Sequence, residues 1–254
     1  PIYNEDGSKV ITFNGEIYNY QTLREELIAA GHTFTTKSDT EVLLHGYEQW
    51  GVDLLQRVRG MFTFVIWDKN KQELFGARDH FGIKPFYYAK MNGTFMYASE
   101  IKSLLRHPDF VKELNAEALK PYMTFQYPAI GETFFKGVYK LPEGHYFTYR
   151  DGKMDIHRYY DEDFREGKQK LGELVNSIDQ TVCDSVKAHQ IADVEVGSFL
   201  SSGVDSSYVA CSADVDKTFT VGFDNGEKYI EISYAKELSE LIPVKNYSKT
   251  ITPE

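Results

Sequence analysis

The chain has 254 residues, 42% of them hydrophobic and 26% charged, which suits one large or two moderate globular domains and excludes a disordered polypeptide. Its net charge of −10 argues against a general nucleic-acid binder. No apolar run is long enough to span a bilayer, no secretory leader is visible, and Cys183 and Cys211 form no CxxC pair, so a cytoplasmic protein with reduced, structural thiols and no membrane partner is expected. The seven histidines are scattered without an HExxH-type pair, which speaks against a structural zinc site.

In chain order, Ile2-Tyr3 and Val10-Ile11-Thr12-Phe13 read as a hairpin closed through Glu5-Asp6-Gly7. Tyr20 to Ala30 has helical spacing (Leu23, Leu27, Ala30) and a Gly31 stop. Thr40 to Trp50 is a second helix, with Ser38 or Asp39 as its cap. Phe62 to Trp67 and Glu73 to Asp79 are strands, and Phe86–Ala89 and Thr94–Ala98 form a hairpin around Asn92-Gly93. Glu100 to Leu105 is a short helix ended by His107-Pro108, and Gly144 to Tyr149 is a strand before the turn at Asp151-Gly152. Many strands with two early helices predict an α+β domain over residues 1–160, sheet on sheet with helices outside.

Residues 161–170 are polar and charged and read as a linker. Leu171 to Ile191 then places Leu174, Val175, Ile178, Val182 and Val186 on one helical face, which is expected to be core. Val194 to Leu200 reads as a strand, Ser206 to Ala213 as a helix, and Thr218 to Phe223 as a second strand. Residues 171–254 are thus the expected start of a doubly wound α/β domain, whose ligands sit beyond the carboxyl ends of the strands. Pro1, without a methionine before it, and Glu254, just after a helix entry at Thr252-Pro253, read as interruptions of a longer protein.

Three patterns carry chemistry. Leu200-Ser201-Ser202-Gly203-Val204-Asp205-Ser206-Ser207 is a tight small-residue turn between strand and helix. Converging N–H groups and the helix dipole cradle phosphate there, serine hydroxyls add donors, and Asp205 would hold Mg²⁺. It is not a Walker A loop, because the Gly-Lys-Ser/Thr ending is missing. Asn14-Gly15 offers a side-chain amide and an unhindered N–H for an oxyanion, although a plain Asn-Gly turn is the better reading of those two residues in isolation. Asp39 is a simple N-cap in isolation, or else a carboxylate for the ammonium group of an amino acid. Arg78 and Asp79 read as a buried ion pair fixing the turn before Gly82, and only secondarily as catalytic.

The Leu200–Ser207 loop resembles the pyrophosphate loop of the ATP-pyrophosphatase family, Ser-Gly-Gly-x-Asp-Ser, with Ser202 in place of the first glycine. If that position needs a positive φ, Ser202 costs more than glycine, with a consequence for nucleotide affinity. Asn14-Gly15-Glu16 with Ser38-Asp39, Gly60–Asp68, Ala77–Tyr88 and Ala98–Lys102 together resemble the glutaminase domain of class II glutamine amidotransferases. Glutaminase followed by this loop is the order of the glutamine-hydrolysing asparagine synthase family of the bacterial B type, and the resemblance covers nearly the whole chain.

That resemblance implies an αββα N-terminal-nucleophile fold and then an ATP-pyrophosphatase-type domain. It implies glutamine, aspartate and ATP as substrates, Mg²⁺ as cofactor, and allows a homodimer. Residue by residue, Asn14 and Gly15 match the oxyanion hole, Glu16 and Asp39 the glutamine site, Leu200, Ser201, Gly203, Asp205, Ser206 and Ser207 the ATP loop, and Val221 an adenine contact. The family nucleophile is an N-terminal cysteine using its own α-amine as base. Pro1 has no thiol and Cys183 and Cys211 lie in the second half, so this polypeptide is expected to be inactive as a glutaminase. Competing readings are a related amidotransferase with a peptidoglycan or β-lactam acceptor, a non-catalytic nucleotide-binding module, and another pyrophosphatase-loop synthetase making GMP, NAD or argininosuccinate. The first half of the chain disfavours the last.

Overall fold

The computed structural model describes residues 1–127, 129–201, 203–223, 231–242 and 244–252; Ser202, Pro253 and Glu254, all singled out above, lie outside them. The chain divides into two compact units, residues 1–164 and 165–254.

The first unit begins with β1 (Ile2–Tyr3), β2 (Lys9–Ile17), α1 (Tyr20–Ala29) and α2 (Asp39–Trp50). It continues with β3 (Gly60–Asp68), β4 (Glu73–Arg78), β5 (Tyr87–Met91), β6 (Thr94–Ala98), α3 (Ile101–Leu104), α4 (Leu119–Phe125), β7 (Val138–Lys140), β8 (His145–Arg150) and β9 (Lys153–Arg158). Two sheets result, β1-β2-β3-β4-β8-β9 and β6-β5-β7, with every described pairing antiparallel. Strand alternation divides β3 between two cores. Phe62, Phe64 and Ile66 join Leu23, Leu27, Val42 and Leu43 of α1 and α2 on one face. Val65 points the other way, to Phe86 of the second sheet's side and Phe147 of β8. A third cluster, Ala89, Met96 and Val138 with Leu104, packs α3 on the second sheet. The layer order is therefore helix, sheet, sheet, helix.

The local signals explain most boundaries. Ser38 Oγ accepts the Thr40 N–H, so Ser38 is the cap of α2 and Asp39 its first helical residue. Asn92 (φ 50°) and Gly93 (φ 84°) take the left-handed pair of a two-residue hairpin. The Asp151-Gly152 turn does the same, and returns the chain as β9, a strand absent from the sequence reading. Its pattern, with Ile156 39% exposed between charged residues, is that of an edge strand and carries little periodic signal. Asn14-Gly15 is not a turn: β2 runs straight through it, with Asn14 opposite Thr63 and Gly15 opposite Phe62.

The second unit holds α5 (Leu171–His189), β10 (Ser198–Phe199), α6 (Val204–Ser212), β11 (Lys217–Phe223), α7 (Glu231–Leu241) and β12 (Lys245–Ile251). The strands are parallel in the order β10-β11-β12, with α6 and α7 as crossovers, the repeating unit of a doubly wound α/β domain. Two expectations need correction. The strand expected from Val194 is paired only at Ser198 and Phe199, because β11 starts at Lys217, level with Gly197, and the preceding residues lie beyond the sheet. The face of α5 is not core: Leu174, Val175 and Ile178 are 42%, 54% and 52% exposed, and only Val182 and Val186 are half-buried. A 19-residue helix is about 28 Å long, while its neighbour α6 has nine residues and covers about half of that. Cys183 is half-buried on α5, but Cys211 is exposed on α6 and has no packing role. Among the described residues no helix is long and apolar enough to cross a membrane.

Candidate functional site

In the first unit, the candidate residues meet at the end of β2. Phe62 turns both main-chain groups away from β2: its N–H donates to Asp79 Oδ2 (3.2 Å) and its carbonyl accepts the Asp79 N–H (2.8 Å). The Gly15–Phe62 pair is therefore a non-hydrogen-bonded one, and the Gly15 N–H faces the other edge of β2. Two residues on, the Ile17 N–H faces that same edge and donates to Asp39 Oδ2 at 3.0 Å. The edge thus carries a main-chain donor and, two residues or about 7 Å further along, a carboxylate. Asp39 is held in place by the Ser38 hydroxyl (3.3 Å) as well as by the start of α2. A Cβ on Gly15 would lie 2.2 Å from the Met61 carbonyl oxygen, so no larger residue fits between β2 and β3.

Asn14 faces the second sheet. Its side-chain amide donates to Ser99 Oγ at 2.9 Å, and the two residues line a cavity of about 220 Å³ with Thr12, Thr63, Phe86 and Tyr97. Ser99 and Tyr97 follow from this geometry alone. Ala98-Ser99-Glu100 is a visible motif, but nothing in it says that Ser99 meets a residue 85 positions earlier. Glu16 is half-buried, on the Asn14 side of β2. Burial pushes the neighbouring Tyr18 phenol up, with Glu16 and Asp79 adding negative charge, so this phenol stays neutral over the physiological range.

Arg78 and Asp79 are both buried, at 2% and 1% exposure, but they are not the ion pair expected. Arg78 donates to the carbonyls of Gly82, Lys84 and Leu141. The Asp79 carboxylate accepts the N–H groups of Phe62, Phe81, Ile83 and Lys84. Each charge fixes backbone rather than the other charge, because the sharp 79–84 turn leaves more unpaired main-chain groups than secondary structure can satisfy. Both are structural.

In the second unit, Leu200 is 2% exposed and anchors the loop in a small core with Ala210 and Ala235. Its N–H donates to the Phe219 carbonyl and its carbonyl accepts the Thr220 hydroxyl at 2.7 Å. The chain then leaves the carboxyl end of β10. Ser201 Oγ and Ser206 Oγ are 2.8 Å apart, the Gly203 N–H donates to Ser201 Oγ at 3.2 Å, and Ser207 Oγ donates to the Gly203 carbonyl at 2.8 Å. Gly203 caps α6 without a side-chain acceptor, so the first-turn N–H groups of the helix point into the loop. Asp205 lies in that first turn, exposed. Helix N-terminus and serine hydroxyls suit phosphate, and one exposed carboxylate beside them fits Mg²⁺, which takes few protein ligands and keeps phosphate and water. The β10–β11 register sets Val221 level with Ser201, on the sheet face shared with Phe199, Phe219 and Tyr247.

Residues 1–160 match the family model described as glutamine amidotransferase domain, and residues 177–254 match that of asparagine synthase. Asparagine synthetase [glutamine-hydrolyzing] 1 of Bacillus subtilis is 43% identical over 100% of this chain and 41% of its own length. Asparagine synthetase [glutamine-hydrolyzing] 3 of the same organism is 34% identical over 88% of this chain and 38% of its own. Among solved structures, the glutamine phosphoribosylpyrophosphate amidotransferase of B. subtilis, complexed with ADP and GMP, aligns over 98% of this chain and 63% of its own with 14% identity and a TM-score of 0.45. The chain spans about two fifths of the length of these curated relatives. By its first 160 residues the chain belongs to the glutamine amidotransferase domain family, joined in the same sequence to a stretch, 177–254, that matches the asparagine synthase model.

Proposed function

We propose that the chain is the glutaminase and the leading part of the synthetase of a cytoplasmic, ATP-dependent, glutamine-hydrolysing asparagine synthase, which converts aspartate, glutamine and ATP to asparagine, glutamate, AMP and pyrophosphate. The observation that carries the proposal is the β2 edge, where the Gly15 N–H and the Asp39 carboxylate stand at a separation that extended glutamine bridges. Residues 1–160 are read as the glutaminase, 161–170 as a linker and 171–254 as the start of the ATP-binding domain.

In this reading Asp39 takes the α-ammonium group of glutamine, and Glu16 helps hold the substrate. The Gly15 N–H and the Asn14 amide take the amide oxygen as it gains negative charge. Ser99 fixes the Asn14 amide plane, so that donor is oriented before substrate arrives. In the second unit, Leu200 roots the loop, and Ser201, Gly203, Ser206 and Ser207 supply donors to the ATP phosphates, while Val221 contacts adenine. Asp205 would hold Mg²⁺, which offsets phosphate charge when bound. The reaction class then requires ATP to activate the aspartate β-carboxylate for ammonia.

The test is product analysis of the full-length protein carrying this chain. Asparagine, AMP and pyrophosphate formed in equal amounts from aspartate, glutamine and Mg²⁺-ATP are expected. Amidation of another carboxylate, with aspartate left untouched, would overturn the acceptor assignment.

A further inference from the structure

At the opposite end of β2 from Asn14, three segments far apart in sequence point donors at one spot. Glu5 comes from the β1–β2 turn, His32 from the α1–α2 connection, and His45 and Glu48 from consecutive turns of α2. One ligand atom from each lies within 4.8 Å of all the others. His45 Nδ1 is 2.9 Å from Glu48 Oε2 and 3.4 Å from Glu5 Oε2; His32 Nδ1 is 3.6 Å from Glu5 Oε1 and 3.9 Å from Glu48 Oε2. A tetrahedron with ligand bonds of about 2.0–2.2 Å has edges of about 3.3–3.6 Å; the two Glu5 contacts, one through each carboxylate oxygen, lie within about 0.1 Å of that range, and the 2.9 Å His45–Glu48 hydrogen bond would lengthen to join it.

The surroundings are those of a metal site too. Both imidazoles present Nδ1 to the common point and turn Nε2 to an oxygen. His45 Nε2 faces Glu41 Oε1 at 3.5 Å, and His32 Nε2 meets Gln49 Oε1 at 3.2 Å. An oxygen hydrogen-bonded behind a ligating histidine is the usual outer support of such centres, and Gln49 supplies it to His32; His45 Nε2 lies beside Glu41 without a hydrogen bond to it. Glu41 is itself locked, accepting the N–H and hydroxyl of both Thr35 and Thr36. Glu48 is oriented by Asn4 and Lys9 through Oε1, which leaves Oε2 to the centre. His45 and Glu41 are each 1% exposed. Glu5, Glu41 and Glu48 carry three negative charges, and Lys9 is the one lysine or arginine within 4 Å of them among the described residues. With both imidazoles neutral, as ligation requires, the surplus of two is what a divalent ion would neutralise. Two imidazoles exclude the all-oxygen preference of Ca²⁺ and Mg²⁺ and suit zinc.

We propose that Glu5, His32, His45 and Glu48 form a four-coordinate site for a zinc-class divalent ion that staples the β1–β2 turn and the α1–α2 connection to α2. All four positions carry protein ligands, so the site is structural rather than catalytic.

The test uses chelator-stripped chain in an Asp205→Ala background, so that the loop of the second unit contributes no ion. One equivalent of Zn²⁺ should bind, with a melting temperature that climbs with free Zn²⁺. Co²⁺ in its place should give the intense visible bands of a tetrahedral ion. His32→Ala and Glu5→Gln change half-buried or exposed ligands and should leave the fold intact. Each should lower affinity by well over about 10-fold and shift or weaken the cobalt bands. Failure to take up a stoichiometric ion, uptake that both variants leave unchanged, or a six-coordinate cobalt spectrum would each overturn the site.

Discussion

The two units of this chain bury their apolar residues very differently. In the first, Phe62, Phe64, Phe75, Phe147 and a set of leucines and isoleucines are fully buried, in clusters on both faces of the six-stranded sheet. In the second, the buried apolar side chains among the described residues are few, namely Leu200, Ala210, Val215 and Ala235, while Phe199, Phe219, Val221, Phe223 and Tyr247 are exposed on the strands. The same kind of secondary structure is present in both. What differs is whether each element meets a partner on its apolar side, and hydrophobic stabilisation follows the area removed from water rather than the element count. Both tryptophans, Trp50 and Trp67, lie in the first unit, so their fluorescence follows that unit alone while circular dichroism follows both.

The sharpest way to break the contrast is Asp79→Ala. It strips four buried or half-buried N–H groups of their acceptor and should cost on the order of 4 kcal/mol or more, read as an early urea midpoint in tryptophan fluorescence. Leu200→Ala should cost about 2–4 kcal/mol, which the small core of the second unit cannot absorb. Helical dichroism from α5–α7 should fall while the tryptophan transition stays in place; a joint shift would mean that the two units unfold as one. Gly15→Ala drives a Cβ to 2.2 Å from the Met61 carbonyl and should cost about 1–3 kcal/mol. Under the proposed function it should also lower the full-length protein's glutaminase kcat/KM by at least about 10-fold, because the Gly15 N–H is there proposed as a donor to the oxyanion.

The smallest effect concerns pH. His80 is half-buried and stacks on Tyr160 at 4.1 Å; burial holds its imidazole below the usual value, against the opposing charges of Asp79 and Glu162. A lowered folded-state pKa means that the unfolded chain takes up the proton first. The contribution is therefore complete above the unfolded value of about 6.5 and is lost as pH falls from there through the lower folded value. His80→Gln should reduce the loss of first-unit stability as pH falls below about 6.5 and leave the second unit's profile unchanged.

Turns and strongly patterned strands were legible in the chain because their causes are local. Asn92-Gly93 needs two left-handed residues, and Phe62 to Trp67 is apolar enough to be buried on both faces. The serine loop was legible for a similar reason, since small residues between strand and helix leave helix N–H groups open. The weakly patterned elements were missed: β7 has three residues, α4 buries no side chain, and β9 is an edge strand. The pairing of Arg78 with Asp79 was inferred from opposite charge and adjacency, yet both groups serve main chain brought to them by a turn and by Leu141, 63 residues away.

Periodicity, turn chemistry and motif order were sufficient to set the class of both units, because these signals are carried by residues a few positions apart and agree with the global fold. Three matters waited on tertiary packing: how far β10 pairs, whether the apolar stripe of α5 is covered, and which distant side chains share a site. Asn14 reaches Ser99 across 85 positions, and His45 meets Glu5 and His32 only after the turn and the helix connection fold onto α2. Such meetings depend on how layers stack, and stacking is decided by the shape and volume of whole faces, which no short stretch of residues encodes.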